Sequence, residues 1–132
     1  FGSSIGEGNY TRPQGEIVWC ENGFDLTTYD EDNAISSNAE INLEAESNGK
    51  IPKGAKAVHS LLLGECSTVE GYLSLNFADS ASSGWNPIYA QIADKKITGN
   101  FWQQCDSDGD IWIRRSHTFN DVLIRIDGVQ LR

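Results

Sequence analysis

The chain has 132 residues and a formal net charge of −9 at pH 7. This length corresponds to one domain that can bury its own core, and no apolar stretch is long enough to span a bilayer, so we expect no membrane insertion. The acidic balance argues against nucleic acid as a partner, because phosphate binding needs a basic surface.

The first fifteen residues differ in composition from the rest of the chain. They are rich in Gly and Ser and contain Pro13, which is typical of an extended arm or linker. The sequence therefore predicts a flexible arm over residues 1–15 and a single β-sandwich domain over residues 16–132.

The first half of the domain predicts three strands. Residues 16–20 and 24–29 are predicted as the strands of a hairpin, because the Asn22-Gly23 pair between them favours a tight turn. Residues 30–37 form a polar, acidic loop. Residues 40–46 then alternate and predict a strand whose core face carries Ile41, Leu43 and Ala45.

The middle of the chain continues this pattern. Residues 55–66 are a longer apolar run, which indicates a central strand, with a helix as the alternative. Residues 71–78 alternate again, with Leu73, Leu75 and Phe77 on one side. Pro87 then opens a short predicted strand over residues 88–93.

Three alternating runs occupy the last third, at residues 97–105, 110–115 and 119–131. The turn at residues 106–109 is rich in residues that tolerate left-handed backbone conformations. We predict that the three runs pair in order as an antiparallel meander. With about eight or nine strands and no clear helical period, the sequence favours an all-β antiparallel sandwich of the jelly-roll kind.

The sharpest local motif is Asp106-Ser107-Asp108-Gly109-Asp110. Alternating carboxylates can gather oxygen ligands for calcium, so the candidate metal ligands are Asp106, Asp108 and Asp110. An EF-hand loop would need Gly at its sixth position and Glu at its twelfth, where this chain has Ile111 and His117. A strand-to-strand turn explains the motif better. We therefore expect no cofactor, with calcium as the alternative.

The sequence gives little support for an enzyme. His59 and His117 are the only histidines, and no GxSxG-type nucleophile elbow is present. The three cysteines, Cys20, Cys66 and Cys105, are widely separated. This spacing favours small buried thiols over a zinc site, and one disulfide with a free thiol is the alternative. We predict a protein without catalytic activity.

Aromatic and arginine residues form a larger candidate set for ligand binding: Trp85, Tyr89, Trp102, Trp112, Arg114 and Arg115. Such residues offer flat apolar faces and dominate protein interfaces. Trp112 and Arg114 share one strand face, opposite Ile111 and Ile113, so that face is a candidate recognition or subunit-contact surface. The alternative is that the tryptophans fill the second side of a sandwich.

Residues 51–132 contain the stretches IPKGAKAV, DSDGDIWIRR and NDVLIRIDGVQL. In these strand-and-turn patterns the chain resembles the C-terminal β-domains of phage virion surface proteins, such as tail or head fibres. The resemblance implies a trimeric or multivalent surface domain that binds a host receptor or decorates the particle. It carries no functional residue over to this chain and does not extend to residues 1–50.

These observations predict a non-enzymatic module on a virion surface or another extracellular assembly, used for host attachment or particle structure. Its expected partners are other copies of itself or virion proteins, and a host surface glycan or receptor. The alternative is a carbohydrate-binding module or lectin-like domain, with or without calcium. A small hydrolase is the third hypothesis.

Overall fold

The computed structural model describes residues 16–31, 33–79 and 85–132, so the predicted arm over residues 1–15 lies outside the described residues. Within these ranges the chain forms eight strands and one short helix: β1 (Ile17–Asp30), β2 (Ala39–Ile41), α1 (Leu43–Glu46), β3 (Ala57–Glu65), β4 (Tyr72–Asn76), β5 (Asn86–Tyr89), β6 (Lys96–Gln104), β7 (Ile111–Arg115) and β8 (Asn120–Gln130). The strands pair antiparallel in two sheets of four.

The strand order is that of a jelly roll. One sheet has the order β1-β8-β3-β6 and the other has the order β2-β7-β4-β5. Among the described strands, only β4 and β5 follow each other in the same sheet, and every other connection crosses to the opposite sheet. This double crossing is characteristic of the jelly roll, and it confirms the predicted all-β sandwich.

The core lies between the two sheets. Leu62 and Ile124 of the first sheet and Leu75 and Ile113 of the second are fully buried. The predicted central strand is confirmed, because β3 lies between β8 and β6 and pairs with both. Alternation along the strands therefore sends one set of side chains to the core and the other set to the two outer faces.

Gly64 near the end of β3 leaves space for Phe119. A Cβ at position 64 would lie 2.8 Å from Cδ2 of Phe119 and 3.1 Å from a methyl carbon of Leu73. A glycine inside a central strand normally weakens it. Here it allows a fully buried aromatic ring to approach the strand.

The first strand runs through the predicted hairpin turn. Asn22 and Gly23 do have positive φ angles, 67° and 65°. However, β1 pairs with β8 on both sides of them, with Trp19 opposite Gly128 and Phe24 opposite Ile126. The Asn-Gly pair therefore forms a bulge in one long strand, and the prediction of a hairpin at this position is wrong.

The predicted strand over residues 40–46 is also wrong beyond Ile41. After β2, Asn42 caps the helix α1, and its side-chain oxygen accepts the N–H of Ala45 at 3.1 Å. Leu43 is buried as predicted, but Ala45 is exposed. A side chain that hydrogen-bonds to the nearby backbone gives the chain an alternative to strand pairing. The alternating pattern of apolar residues did not indicate this helix.

The last three runs are strands, but they do not form the predicted meander. β6 pairs with β3, β7 pairs with β2 and β4, and β8 pairs with β1 and β3. Each turn between them takes the chain to the other sheet. A turn-rich segment indicates where a strand ends, but it does not determine which strand the next one joins.

The strand after Pro87 is shorter than predicted and lies earlier in the chain. β5 includes Pro87 and pairs only with β4, so it forms an edge of its sheet. Proline is tolerated at an edge because one side of the strand needs no N–H donor. Phe77, predicted on the core side with Leu73, is 36% exposed just beyond the end of β4.

Candidate functional site

The outer face of the second sheet carries aromatic and charged side chains near β5. The guanidinium carbon of Arg114 lies 4.1 Å from the ring centroid of Trp85. Tyr72 and Tyr89 face each other across β4 and β5, with ring centroids 6.3 Å apart. These four residues line one shallow depression together with Ser74 and Pro87. We call the four residues the Trp85 surface.

Strand alternation positions the Trp85 surface. Leu73 of β4 and Ile113 of β7 are fully buried in the core. The next residue on each strand, Ser74 and Arg114, therefore lies on the outer face, where the two are paired. The terminal Nη2 of Arg114 also donates to the backbone carbonyl of Asp79 at 3.2 Å. The guanidinium is therefore held by a ring and a carbonyl, and this hydrogen bond uses only one of the five N–H donors of an arginine side chain.

Three of the six predicted ligand-binding residues do not belong to this surface. Trp112 shares the outer face with Arg114, but it lines a separate groove with Phe77 and Arg132. Arg115 follows Arg114 on β7 and therefore lies on the opposite side of the strand. Trp102 lies on β6, in the other sheet. The predicted set is thus divided between at least two surfaces.

The outer face of the first sheet carries a second aromatic group. Trp19, Gly128, His59 and Trp102 lie opposite one another on the consecutive strands β1, β8, β3 and β6. The three ring centroids are 5.2 to 5.5 Å apart. Nδ1 of His59 lies 2.6 Å from Oδ1 of Asp127. We call this group the Trp19 row, and its members are Trp19, His59, Trp102 and Asp127.

Sequence reasoning named only Trp102 from this row as a ligand residue. Trp19 and Trp102 are large aromatic residues that remain 59% and 37% exposed. Their outward faces follow from alternation, but their proximity depends on the register of four strands that are distant in sequence. Exposure of several large apolar side chains on one face is typical of a binding surface.

Three carboxylates meet where β2 approaches the turn between β6 and β7. Oxygens of Glu40, Asp106 and Asp110 all lie within 4.8 Å of one another. Glu40 was not among the predicted metal ligands, because the pairing of β2 with β7 brings it there. Asp108, which was predicted, is outside this set and lines a neighbouring polar cavity with Asp110 and Lys53. The residues that could hold a cation are thus Glu40, Asp106 and Asp110.

The electrostatics of this cluster act mainly on Asp110. Its burial raises the pKa of the carboxyl above the ordinary value of 3.8, and the nearby charges of Asp106 and Glu40 raise it further. A backbone hydrogen bond from Leu43 acts in the opposite direction. Ionisation of Asp110 is therefore less favourable than that of an ordinary aspartate.

The turn itself is stabilised by its own residues. Oδ1 of Asp106 accepts the N–H of Asp108 at 2.8 Å and the N–H of Asp110 at 2.9 Å. Gly109 has φ of 84°, which favours glycine. The interpretation of this motif as a turn is confirmed, and cation binding stays a prediction.

The cysteines and histidines have identifiable structural surroundings. All three cysteines are free, with Cys66 and Cys105 buried and Cys20 half-buried. Burial raises the pKa of the Cys105 thiol to about 12, so the reactive thiolate is scarce at neutral pH. Nδ1 of His117 lies 2.9 Å from the hydroxyl of Ser116, and that hydroxyl accepts the N–H of Tyr72. This contact joins the ends of β4 and β7.

The fold and surfaces define the chain as an all-β jelly-roll sandwich with aromatic groups on both outer faces. No protein-family model matches the chain, and a search of curated proteins finds no significant match. Over the part of the chain that the structure describes, no helix is long and apolar enough to cross a membrane.

Proposed function

We propose that this domain is a non-enzymatic recognition module of a virion or another extracellular assembly, and that it attaches the assembly to a host surface glycan or glycosylated receptor. The observation that supports this most directly is the Trp85 surface. It combines aromatic rings, tyrosine hydroxyls and a guanidinium on the outer face of a sheet.

The rigidity of the sheet favours binding at this surface. Leu73 and Ile113, which lie directly behind the outer residues, are completely buried. A ligand therefore meets groups whose positions are set by strand pairing, so little conformational entropy is lost when it binds. Tyr89 nevertheless remains 50% exposed, so its ring is accessible to a partner.

The chemistry of the surface suits a glycan. Trp and Tyr rings offer flat apolar faces against which the C–H face of a sugar can pack. The planar guanidinium of Arg114 can donate to hydroxyl or carboxylate oxygens in a directional way. The Tyr72 and Tyr89 hydroxyls add groups that can both donate and accept.

The surroundings of both histidines favour binding over catalysis. His59 packs against two indoles and contacts Asp127. His117 contacts the hydroxyl of Ser116, and that oxygen already accepts the backbone N–H of Tyr72 at the start of β4. Within the described residues, His117 contacts a hydroxyl but no group that orients its ring, and His59 contacts a carboxylate but no nucleophile, so neither histidine completes an activated nucleophile with its base and orienting group.

A shallow site of this kind gains strength from multivalency. If several copies are displayed on one assembly, each further contact becomes intramolecular and the avidity exceeds the affinity of one domain. The resemblance to phage surface domains is in keeping with such a display. Other copies of the chain or virion proteins would then be its assembly partners.

The test is a binding experiment with the domain displayed on a tetravalent carrier and applied to an array of surface glycans. We expect the wild type to bind at least one glycan class, and Trp85→Ala to lose at least tenfold in apparent affinity. Val69→Ala is the matched control, since Val69 is 53% exposed and lies outside both aromatic groups.

Circular dichroism of each variant shows whether it has kept the fold. Two outcomes contradict the proposal: the wild type binds no glycan on the array, or Trp85→Ala binds as well as the wild type.

The second candidate function is that of a carbohydrate-binding module or lectin-like domain acting on polysaccharide. The observation that favours it is the Trp19 row, which places exposed indoles beside hydrogen-bonding groups on the other sheet.

A further inference from the structure

We propose that the Trp19 row is a saccharide-binding site, separate from the Trp85 surface, and that it takes a neutral pyranose unit of a polysaccharide. The row combines two exposed indoles with a histidine–aspartate pair. Each of its four members comes from a different strand of the β1-β8-β3-β6 sheet.

The absence of a side chain at Gly128 positions the Trp19 indole. A Cβ at position 128 would lie 2.8 Å from Cζ3 and 2.9 Å from Cε3 of Trp19. The six-membered ring of Trp19 therefore lies against the backbone of β8, and it can do so only because position 128 is glycine. The ring is supported from below and is still 59% exposed, so part of its surface is free to pack against a ligand.

A register shift places Asp127 beside His59. On β3, Ser60 lies opposite Ile126 whereas His59 lies opposite Gly128, so Asp127 is the extra residue of a bulge on β8. Its carboxylate meets Nδ1 of His59 at 2.6 Å. Because an ionised carboxylate can only accept, Nδ1 is the donor in that contact.

The contact between His59 and Asp127 leaves groups for a ligand. Nε2 of His59 and the second carboxylate oxygen of Asp127 are not used in it. The two side chains are 21% and 44% exposed. Two sugar hydroxyls can therefore bond there while the C–H face of the ring packs on Trp19.

Charge distinguishes a neutral sugar from other occupants. An acidic sugar would place its carboxylate near Asp127. A second copy of the chain would bring another net charge of −9 and would have to bury the Asp127 carboxylate. A stable interface also needs about 800 Å² from each partner, more than a single row of side chains offers. A neutral polyol satisfies the polar pair without bringing like charge.

The test is native electrophoresis of the folded protein in gels that contain a soluble neutral polysaccharide. Four gels are used, and each contains one polysaccharide: an α-glucan, a β-glucan, a mannan or a galactan. We expect at least one polysaccharide to retard the wild type, and Trp19→Ala and Asp127→Asn to lose at least tenfold in apparent affinity. Gly128→Ala keeps every ligand group but displaces the indole, so it should lose affinity as well.

One variant serves as the control. Thr98→Ala changes an exposed residue of β6, the strand that carries Trp102, and it should be retarded as strongly as the wild type. Trp85→Ala removes the indole of the other surface, so it distinguishes failure of this inference from failure of the function proposed for the Trp85 surface. Asp127→Asn preserves the aromatic packing and keeps the test valid even if Trp19→Ala fails to fold.

Several outcomes would overturn the inference. One is that no gel retards the wild type, and another is that Trp19→Ala and Asp127→Asn are both retarded like the wild type. Loss of retardation in Trp85→Ala alone would assign the saccharide to the Trp85 surface. A wild-type dimer in light scattering that becomes a monomer in Trp19→Ala would show that a second copy occupies the row.

Discussion

The guanidinium of Arg114 lies over the ring of Trp85, with 4.1 Å between the guanidinium carbon and the ring centroid. Each group fixes the other, since a cation above an indole is worth about 0.5–1 kcal/mol at an exposed site. We expect Arg114→Gln to lower the free energy of unfolding by about that amount, and to make tryptophan fluorescence more accessible to acrylamide. Urea denaturation and quenching titrations measure the two effects.

Arg125→Gln is the matched control for this prediction. It removes the same charge from an outer sheet face, where Arg125 pairs with Asp25 at 2.8 Å and no indole is involved. Its quenching should equal that of the wild type. Unchanged quenching in Arg114→Gln would show that the guanidinium does not cover the ring in solution.

The pKa of Asp110 predicts a dependence of stability on pH. Because the folded-state pKa is raised above 3.8, chiefly by burial, the protonated carboxyl contributes stability that is fully present below pH 3.8. That contribution is lost as the pH rises through the folded-state pKa. We therefore expect Asp110→Asn to melt at a higher temperature than the wild type at pH 7, and at nearly the same temperature at pH 3.

Thermal melting monitored by circular dichroism across this pH range measures the difference. The asparagine retains an oxygen that can accept the Leu43 N–H, so the substitution removes charge and little else. Asp79→Asn, at an exposed position, serves as the control. A variant that is less stable than the wild type at pH 7 would mean that the ionised Asp110 makes a favourable contact.

Asp106 should be important for the turn between β6 and β7. Its Oδ1 accepts two backbone N–H groups, from Asp108 and Asp110. Asp106→Ala leaves both donors without this acceptor, so we expect a loss of about 1–3 kcal/mol in the free energy of unfolding. Asp106→Asn keeps an oxygen acceptor and should lose clearly less. Equal losses in the two variants, measured by urea denaturation, would indicate that charge is the important property.

The same hydrogen bonds predict that the fold does not depend on a metal ion. The carboxylate of Asp106 accepts two backbone N–H groups of the turn, and Gly109 adopts the positive φ that the turn requires. We expect the melting temperature in excess chelator to equal that in buffer with calcium. A higher melting temperature with calcium, abolished by Glu40→Gln, would instead show that Glu40, Asp106 and Asp110 bind the ion.

Local pattern was enough to predict the class of fold. Strands β3, β4, β6, β7 and β8 coincide with alternating or apolar runs, because each sheet has one buried face. The pattern did not identify partners, since alternation is the same whichever strand lies alongside. It also did not show that Asn22-Gly23 is a bulge or that Asn42 caps a helix, because those outcomes depend on β8 and on a local hydrogen bond.

The candidate sites could likewise be predicted only where they depend on local pattern and not on strand pairing. Trp85, Tyr89 and Arg114 could be named from the sequence because their residue types are typical of binding surfaces. The Trp19 row could not be assembled from the sequence. It requires the pairing of four strands, a bulge that turns Asp127 outward and a glycine at position 128. These are properties of the assembled sheet.

Gly64 offers a test of the packing between the sheets. A Cβ at this position would lie 2.8 Å from Cδ2 of Phe119, whose ring is completely buried. We expect Gly64→Ala to lower the free energy of unfolding by about 1–3 kcal/mol, as overpacked cores do. Phe119→Leu alone should also destabilise, because it leaves a cavity. In the double variant the smaller side chain makes room for the new methyl group, so the combined loss should be less than the sum of the two single losses. Urea denaturation of the wild type, the two single variants and the double variant measures these losses in a double-mutant cycle. Strictly additive losses would mean that Gly64 and Phe119 are not in contact.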